Sequence, residues 1–187
     1  TYGIILKTYA GISPIKFFKG IAEAQMVAFT TTSSAGTLPV TMSCTQENLG
    51  VSPTVSSFVL PLGATINMDG TAIYEAIAAL FVAQVFGVSL GAGDYVMIVV
   101  VATLASIGAA GVPGAGLIML TLVLTTVGLP LEGLAIVAGI DRILDMARTT
   151  VNVTGDAMVA CAVARSEGEL KVAPAAASAA PPSGLPA

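Results

Sequence analysis

The stretch Gly139–Ala160, GIDRILDMARTTVNVTGDAMVA, constrains the fold more than any other. Within it Asp141, Asp145, Arg148, Asn152 and Asp156 recur at steps of four, three, four and four. At about 100° per residue these positions share one stripe of an α-helix and leave the rest of its surface apolar. A soluble helix with a salt-bridged face would show the same spacing, so composition has to separate the two cases. Hydrophobic residues make up 55% of the chain and charged residues 10%, with a mean hydropathy of +0.91, whereas soluble domains carry ~25% charged residues. The chain reads as a membrane protein. Charges at membrane depth are costly and persist where they face a cavity, a partner or a transported ion, so this helix reads as the polar wall of a pathway.

Composition also removes some functions. The net charge of -4 with 7 Lys and Arg provides no nucleic-acid-binding face. The chain has no His, so neither a His general base nor a His metal site can be assembled, and no enzyme is expected. Cys44 and Cys161 lie in apolar segments without CxxC spacing and read as small buried hydrophobes.

The apolar runs Tyr95–Ile107 and Ala115–Val127 are each shorter than the ~20 residues a helix needs to span a bilayer. They flank GAAGVPG, Gly108–Gly114, where Gly and Pro interrupt a helix. Small-residue helix packing would use similar glycines; two half-depth arms and a flexible tip instead make a re-entrant hairpin over about 93–127. Irregular backbone at that depth must be buried in protein or line a cavity. Upstream, Phe17–Phe29 and Leu38–Glu47 flank TTTSSAG, Thr30–Gly36, giving a hairpin over about 15–48. Each hairpin precedes a longer run, about 52–90 and about 131–165, so the chain reads as two inverted repeats of hairpin plus helix. The tips then meet near the midplane. Lys7, Lys16, Lys19, Arg165 and Lys171 fall on one side and Asp94 and Glu132 on the other, which makes the first side, and the C-terminus, cytoplasmic.

The long middle run is interrupted at PLGATINMDGT, Pro61–Thr71. Asn67, Asp69 and Gly70 are poor helix formers, so the helix is expected to unwind there and expose carbonyls beside a carboxylate, a donor set that suits a hard monovalent cation. An Asx-type turn in a loop would read the same way in isolation. The opening TYGIILKTYAG resembles the end of an earlier helix, so residues 1–171 are expected to be the folded C-terminal part of a longer protein. Residues 172–187, rich in Ala and Pro, read as a disordered tail.

TTTSSAGTLPVT, PLGATINMDGT, ASIGAAGVPGAG and DRILDMARTTVNVTGD, in this order, resemble the signature segments of the glutamate/aspartate cation symporter family. Its members include archaeal sodium-coupled aspartate transporters and animal excitatory amino-acid transporters. The resemblance implies an all-α membrane protein, the C-terminal part of a moving transport domain, in a homotrimer surrounded by membrane lipid. It implies uptake of L-aspartate or L-glutamate with sodium as coupling ion and no other cofactor. A proton-coupled or C4-dicarboxylate relative, or a truncated non-transporting chain, stays open as an alternative.

By motif position the resemblance implies that Arg148 pairs the substrate's side-chain carboxylate and Asp145 its amino group. Thr71, Thr149 and Asn152 would complete the side-chain contacts. Thr32 and Ser34 in the first tip, and Ala110, Gly111 and Val112 in the second, would hold carboxylate oxygens through backbone amides. Sodium would bind at Asp156, Asn152, Asn67 and the Gly63 carbonyl, and at a second site containing Asp69 and Asn67. A third would use the carbonyls of Thr65, Ser106, Ile107 and Ala109, with Met68 also among the ligands. The chain departs from the family pattern at Thr32 and Met146, where members carry a second arginine, and at Ala35, where a serine is common. Arg142 is expected to pair locally with Asp141.

Overall fold

Proline and glycine set most of the element boundaries. The computed structural model describes residues 1–171, in which ten α-helices follow one another and the single β-type contact is an isolated bridge between Val51 and Leu170. Helix α1 (Tyr2–Ile5) runs on into a π-helical turn, Leu6–Ala10. Helix α2 (Pro14–Gly20) begins with Pro in its first turn, where no amide donor is missed. Helix α3 (Ala22–Thr31) follows a bend at Ile21 and packs against α4 (Ser34–Ser43), which is extended by a second π-helical turn, Cys44–Asn48.

The tip between α3 and α4 is tighter than expected, two residues rather than the whole of Thr30–Gly36. Thr32 takes the left-handed conformation at φ 52°, and Ser33 caps α4 by accepting from the Gly36 amide at 3.0 Å. A left-handed residue followed by a hydroxyl cap needs no further loop.

Helices α5 (Pro53–Ile66) and α6 (Asp69–Val85) are the interrupted run, broken only at Asn67 and Met68. The run ends five residues short of the expected 90 because Gly87 turns left-handed at φ 67°. Helices α7 (Ala92–Ile107) and α8 (Ala115–Val127) pack as a pair around the tip 108–114. The polar helix, expected from about 131, is divided: a short α9 (Gly133–Ala138) stops at Gly139, and α10 (Asp141–Ser166) carries the whole charged stripe. The tail 172–187 lies outside the described residues.

Two apolar cores form. One gathers Leu6, Phe17, Ile21, Leu60 and Val153 with the C-terminal half of α10. The other gathers Tyr74, Val82, Ile98, Leu120 and Leu124 from α6, α7 and α8. Helix α5 belongs to the first and α6 to the second, so the break at Asn67 lies on the seam between cores. The outward faces stay apolar: Phe58 is 72% exposed, Ile118 71% and Ile143 68%. Such surfaces require lipid or further protein against them. Among the described residues, Pro53–Val85 is the run long and apolar enough to cross a membrane.

Candidate functional site

The stripe on α10 points into the seam. Asp141, Asp145, Arg148, Asn152 and Asp156 are all buried. Asp141 accepts from the Tyr74 hydroxyl at 2.9 Å. Asp145 accepts from the Gly114 amide at 2.8 Å and from the Thr149 hydroxyl at 3.1 Å. Asn152 accepts from the Gly70 amide at 2.7 Å, at the first turn of α6. Its amide nitrogen donates to Thr71 Oγ1 at 3.2 Å. Asp156 accepts from Asn67 Nδ2 at 2.9 Å.

Arg148 lies at the centre. One nitrogen pairs with Asp145 at 2.8 Å, the other stands 3.8 Å from Asp141, and the guanidinium sits over the Tyr74 ring at 4.4 Å. Arg148 and Asp145, expected to serve separate ligand groups, pair with each other here. Two opposite charges three residues apart on one buried helix face have no better partner, and a buried charge left alone is strongly destabilising. Nη1 of Arg148 has no hydrogen bond. The guanidinium is seated on Gly116, where any β-carbon would collide with it.

The two tips close over this pair. Ser33 Oγ and the Ala35 amide both donate to the Gly111 carbonyl, at 2.8 and 3.1 Å. A β-carbon at Gly111 would stand 2.8 Å from the Ala64 carbonyl, so the second tip also meets the end of α5. Beneath them is a cavity of about 10 Å³, lined from the tips by Thr32, Ser34, Ala110, Gly111 and Val112. Thr71 from α6 and Asp145, Arg148, Thr149 and Asn152 from α10 complete the wall, so every residue expected to touch substrate meets here. That volume holds about one water, so anything larger enters only when a wall moves.

The expected ion ligands divide. Gly63 lies against Asp156, with a β-carbon built there 2.6 Å from Oδ1. Asn67, Asp69 and the Tyr2 hydroxyl all converge on Gly155. Met68 and Ala109 line the cavity, and Met68 sulfur lies 3.2 Å from Asn152 Nδ2. The third set is looser. The Ser106 carbonyl accepts from the Ala109 amide at 3.1 Å, while Thr65 and Ile107 are exposed and do not line the cavity.

Three neighbours of the site escape a motif reading. Tyr2 donates to Asp69 at 2.6 Å from 67 positions away, and no local pattern announces it. Glu75 is fully buried with neither carboxylate oxygen hydrogen-bonded; an acid inside the apolar run AIYEAIAALF was the available signal. Arg142 does not pair with Asp141 as expected. It donates to Thr32 Oγ1 at 2.8 Å, because Asp141 is already engaged by Tyr74 and Arg148.

Fold and site define a class: an all-helical chain with apolar outer faces, in which interrupted helices converge on a buried cluster of charge, amide and carbonyl. The chain belongs to the sodium:dicarboxylate symporter family, which it matches over residues 1–166. It is thus a transporter-family chain and not an enzyme. Excitatory amino acid transporter 2 of Homo sapiens is 56% identical over 144 residues, which are 77% of this chain and 25% of that protein. An excitatory amino acid transporter of Caenorhabditis elegans is 54% identical over 146 residues, 78% of this chain and 29% of that protein. For excitatory amino acid transporter 5 of Homo sapiens the identity is 50% over 148 residues, 79% and 26%. The chain spans between a quarter and three tenths of the length of these relatives.

Proposed function

We propose that the protein containing this chain takes up acidic amino acids, L-aspartate and L-glutamate, across the cell membrane in symport with sodium. The observation that carries the reading is the buried Asp145–Arg148 pair beneath the two tips. A ligand bearing both an ammonium and a carboxylate group can exchange that single contact for two, giving Asp145 the ammonium and Arg148 the carboxylate. Neither charge is then left bare. Arg148 offers a planar fork that grips a carboxylate at two points. The second carboxylate meets backbone amides at the tips, where α4 begins at Ser34 and α8 follows 108–114. A plain dicarboxylate would face Asp145 with like charge, which favours an acidic amino acid over succinate or malate.

Electrostatics also supplies the coupling. Asp145 and Arg148 cancel, so an acidic amino acid adds one negative charge to a buried region that already holds Asp69 and Asp156. Sodium bound at Asp156, Asn67 and the Gly63 carbonyl offsets that surplus, and each ligand then strengthens the other. Residues 1–171 act as part of a moving transport domain with two re-entrant hairpins, α2–α4 opening to the cytoplasm and α7–α8 to the outside. The parent assembles as a homotrimer in lipid, and the transport domain moves as an elevator.

Uptake of labelled L-aspartate by the full-length protein in proteoliposomes, with and without an inward sodium gradient, tests the reading. Accumulation independent of sodium, or absent, would sink it. A second coupling ion, the proton, is favoured by Glu75. Burying that carboxylate as an anion with no hydrogen-bond partner is costly, so it is suited to cross the membrane carrying a proton.

A further inference from the structure

Arg148 has a role in the proposed function and Arg142 has none. Arg142 follows Asp141 on α10, yet its guanidinium reaches across to the α3–α4 tip. Nη1 donates to Thr32 Oγ1 at 2.8 Å, and Nη2 approaches the Thr30 carbonyl at 3.5 Å. Both acceptors are suited to a cation. Thr30 lies in the last turn of α3, where carbonyls lack intrahelical partners and the helix dipole presents its negative end. Thr32 already donates its hydroxyl hydrogen to the Thr31 carbonyl at 2.7 Å, which leaves Oγ1 free to accept. Thr32 is also the one described non-glycine residue at positive φ, at 52°, and it is among the residues that line the cavity. A strained turn of this kind keeps its shape only where the surroundings hold it.

We propose that Arg142 is a positioning residue that clamps the α3–α4 tip to α10 and so fixes the Thr32–Ser34 wall of the binding cavity. Its effect falls on how tightly the acidic amino acid is held, since the clamp joins the one tip to the helix that carries Asp145 and Arg148. Asp69 and Asp156 make no hydrogen bond to Arg142 or to Thr32, and Asp156 lies 14 positions further along α10, where it accepts from Asn67. The inference rests on the proposed function, because it concerns the same site.

The test uses the full-length protein in proteoliposomes. Arg142→Ala should raise the KM for L-aspartate by on the order of tenfold, the value of one charge-assisted hydrogen bond, with the sodium half-saturation, measured at saturating L-aspartate, changed less than about twofold. Arg142→Lys, which can reach one acceptor but not both, should fall between. Thr32→Val removes the acceptor and should raise KM similarly, and the double variant should be no worse than the poorer single one. A cysteine at Ala35, exposed beside the tip, should be labelled faster by a thiol reagent once Arg142 is replaced by Ala. Wild-type protein that fails to accumulate aspartate on a sodium gradient defeats the proposed function. Wild-type uptake with an unchanged KM in Arg142→Ala, single effects that multiply in the double variant, or unchanged labelling at position 35 overturns the clamp alone.

Discussion

Gly63→Ala asks the most direct question of the proposed ion site. Gly63 is buried in α5, has no left-handed φ, and accepts from the Asn67 amide at 2.8 Å, so a helical alanine is compatible with its backbone. The new β-carbon would stand 2.6 Å from Asp156 Oδ1 and 3.0 Å from its Cγ. Ordinary contact begins near 3.4 Å, so the carboxylate must retreat by roughly 0.8 Å. The same oxygen accepts from Asn67 Nδ2 at 2.9 Å, so a retreat of that size disturbs this bond as well. Overpacking costs ~1–3 kcal/mol and the gain in helix propensity returns up to ~1 kcal/mol, so the protein should still fold. A hydrogen bond to a charged group is worth ~1.5–3 kcal/mol, and the half-saturating sodium concentration should therefore rise by about one to two decades. The assay is sodium-dependent L-aspartate uptake in proteoliposomes, with thermal unfolding measured alongside. Gly93→Ala is the control, since a β-carbon there meets nothing. A folded Gly63→Ala protein with wild-type sodium dependence would refute the argument that Asp156 must stay where it is for sodium to bind.

Arg148→Thr should cost acidic substrates ~3–5 kcal/mol, or two to four decades of affinity, and shift preference toward serine-like substrates; micromolar aspartate binding in the folded variant would show that the carboxylate is recognised elsewhere. A cysteine at Ala110, exposed on the second tip, should react with a membrane-impermeant reagent from outside and be protected by sodium plus aspartate. Labelling solely from the cytoplasmic side would reverse the proposed topology. Glu75→Gln keeps the shape but cannot carry a proton, so proton movement accompanying uptake should disappear while sodium dependence persists; continued proton flux would place the carrier elsewhere.

The legible parts of the site are those where the sequence breaks a rule of its own surroundings. Five polar residues on an apolar helix, or Asn67 and Asp69 inside a hydrophobic run, can be seen because local energetics disfavour them there and only a function or a partner retains them. The meeting of the tips with this stripe came from the resemblance to known symporters, together with the count of helices. What stayed hidden is the pairing. Tyr2 with Asp69, and Arg142 with Thr32, join residues 67 and 110 positions apart, and no periodicity links such distant side chains. The Asp145–Arg148 contact is hidden differently: the three-residue spacing makes it possible, but spacing alone does not separate a pair that meets from two charges that face a cavity.

If the proposed function holds, that self-pairing would have a mechanistic consequence for selectivity. The cavity is about 10 Å³, so on the proposed function the amino acid would have to part Asp145 from Arg148 and displace a tip. A molecule bearing only a carboxylate would take Arg148 and strand Asp145, while one bearing only an ammonium group would do the reverse. Truncating one member of a buried ion pair costs ~3–5 kcal/mol, and a half-matching ligand incurs a penalty of the same kind. Discrimination would thus reside in the pair that must be separated as much as in the contacts that replace it, with Asp145 and Arg148 excluding the wrong ligand by holding one another.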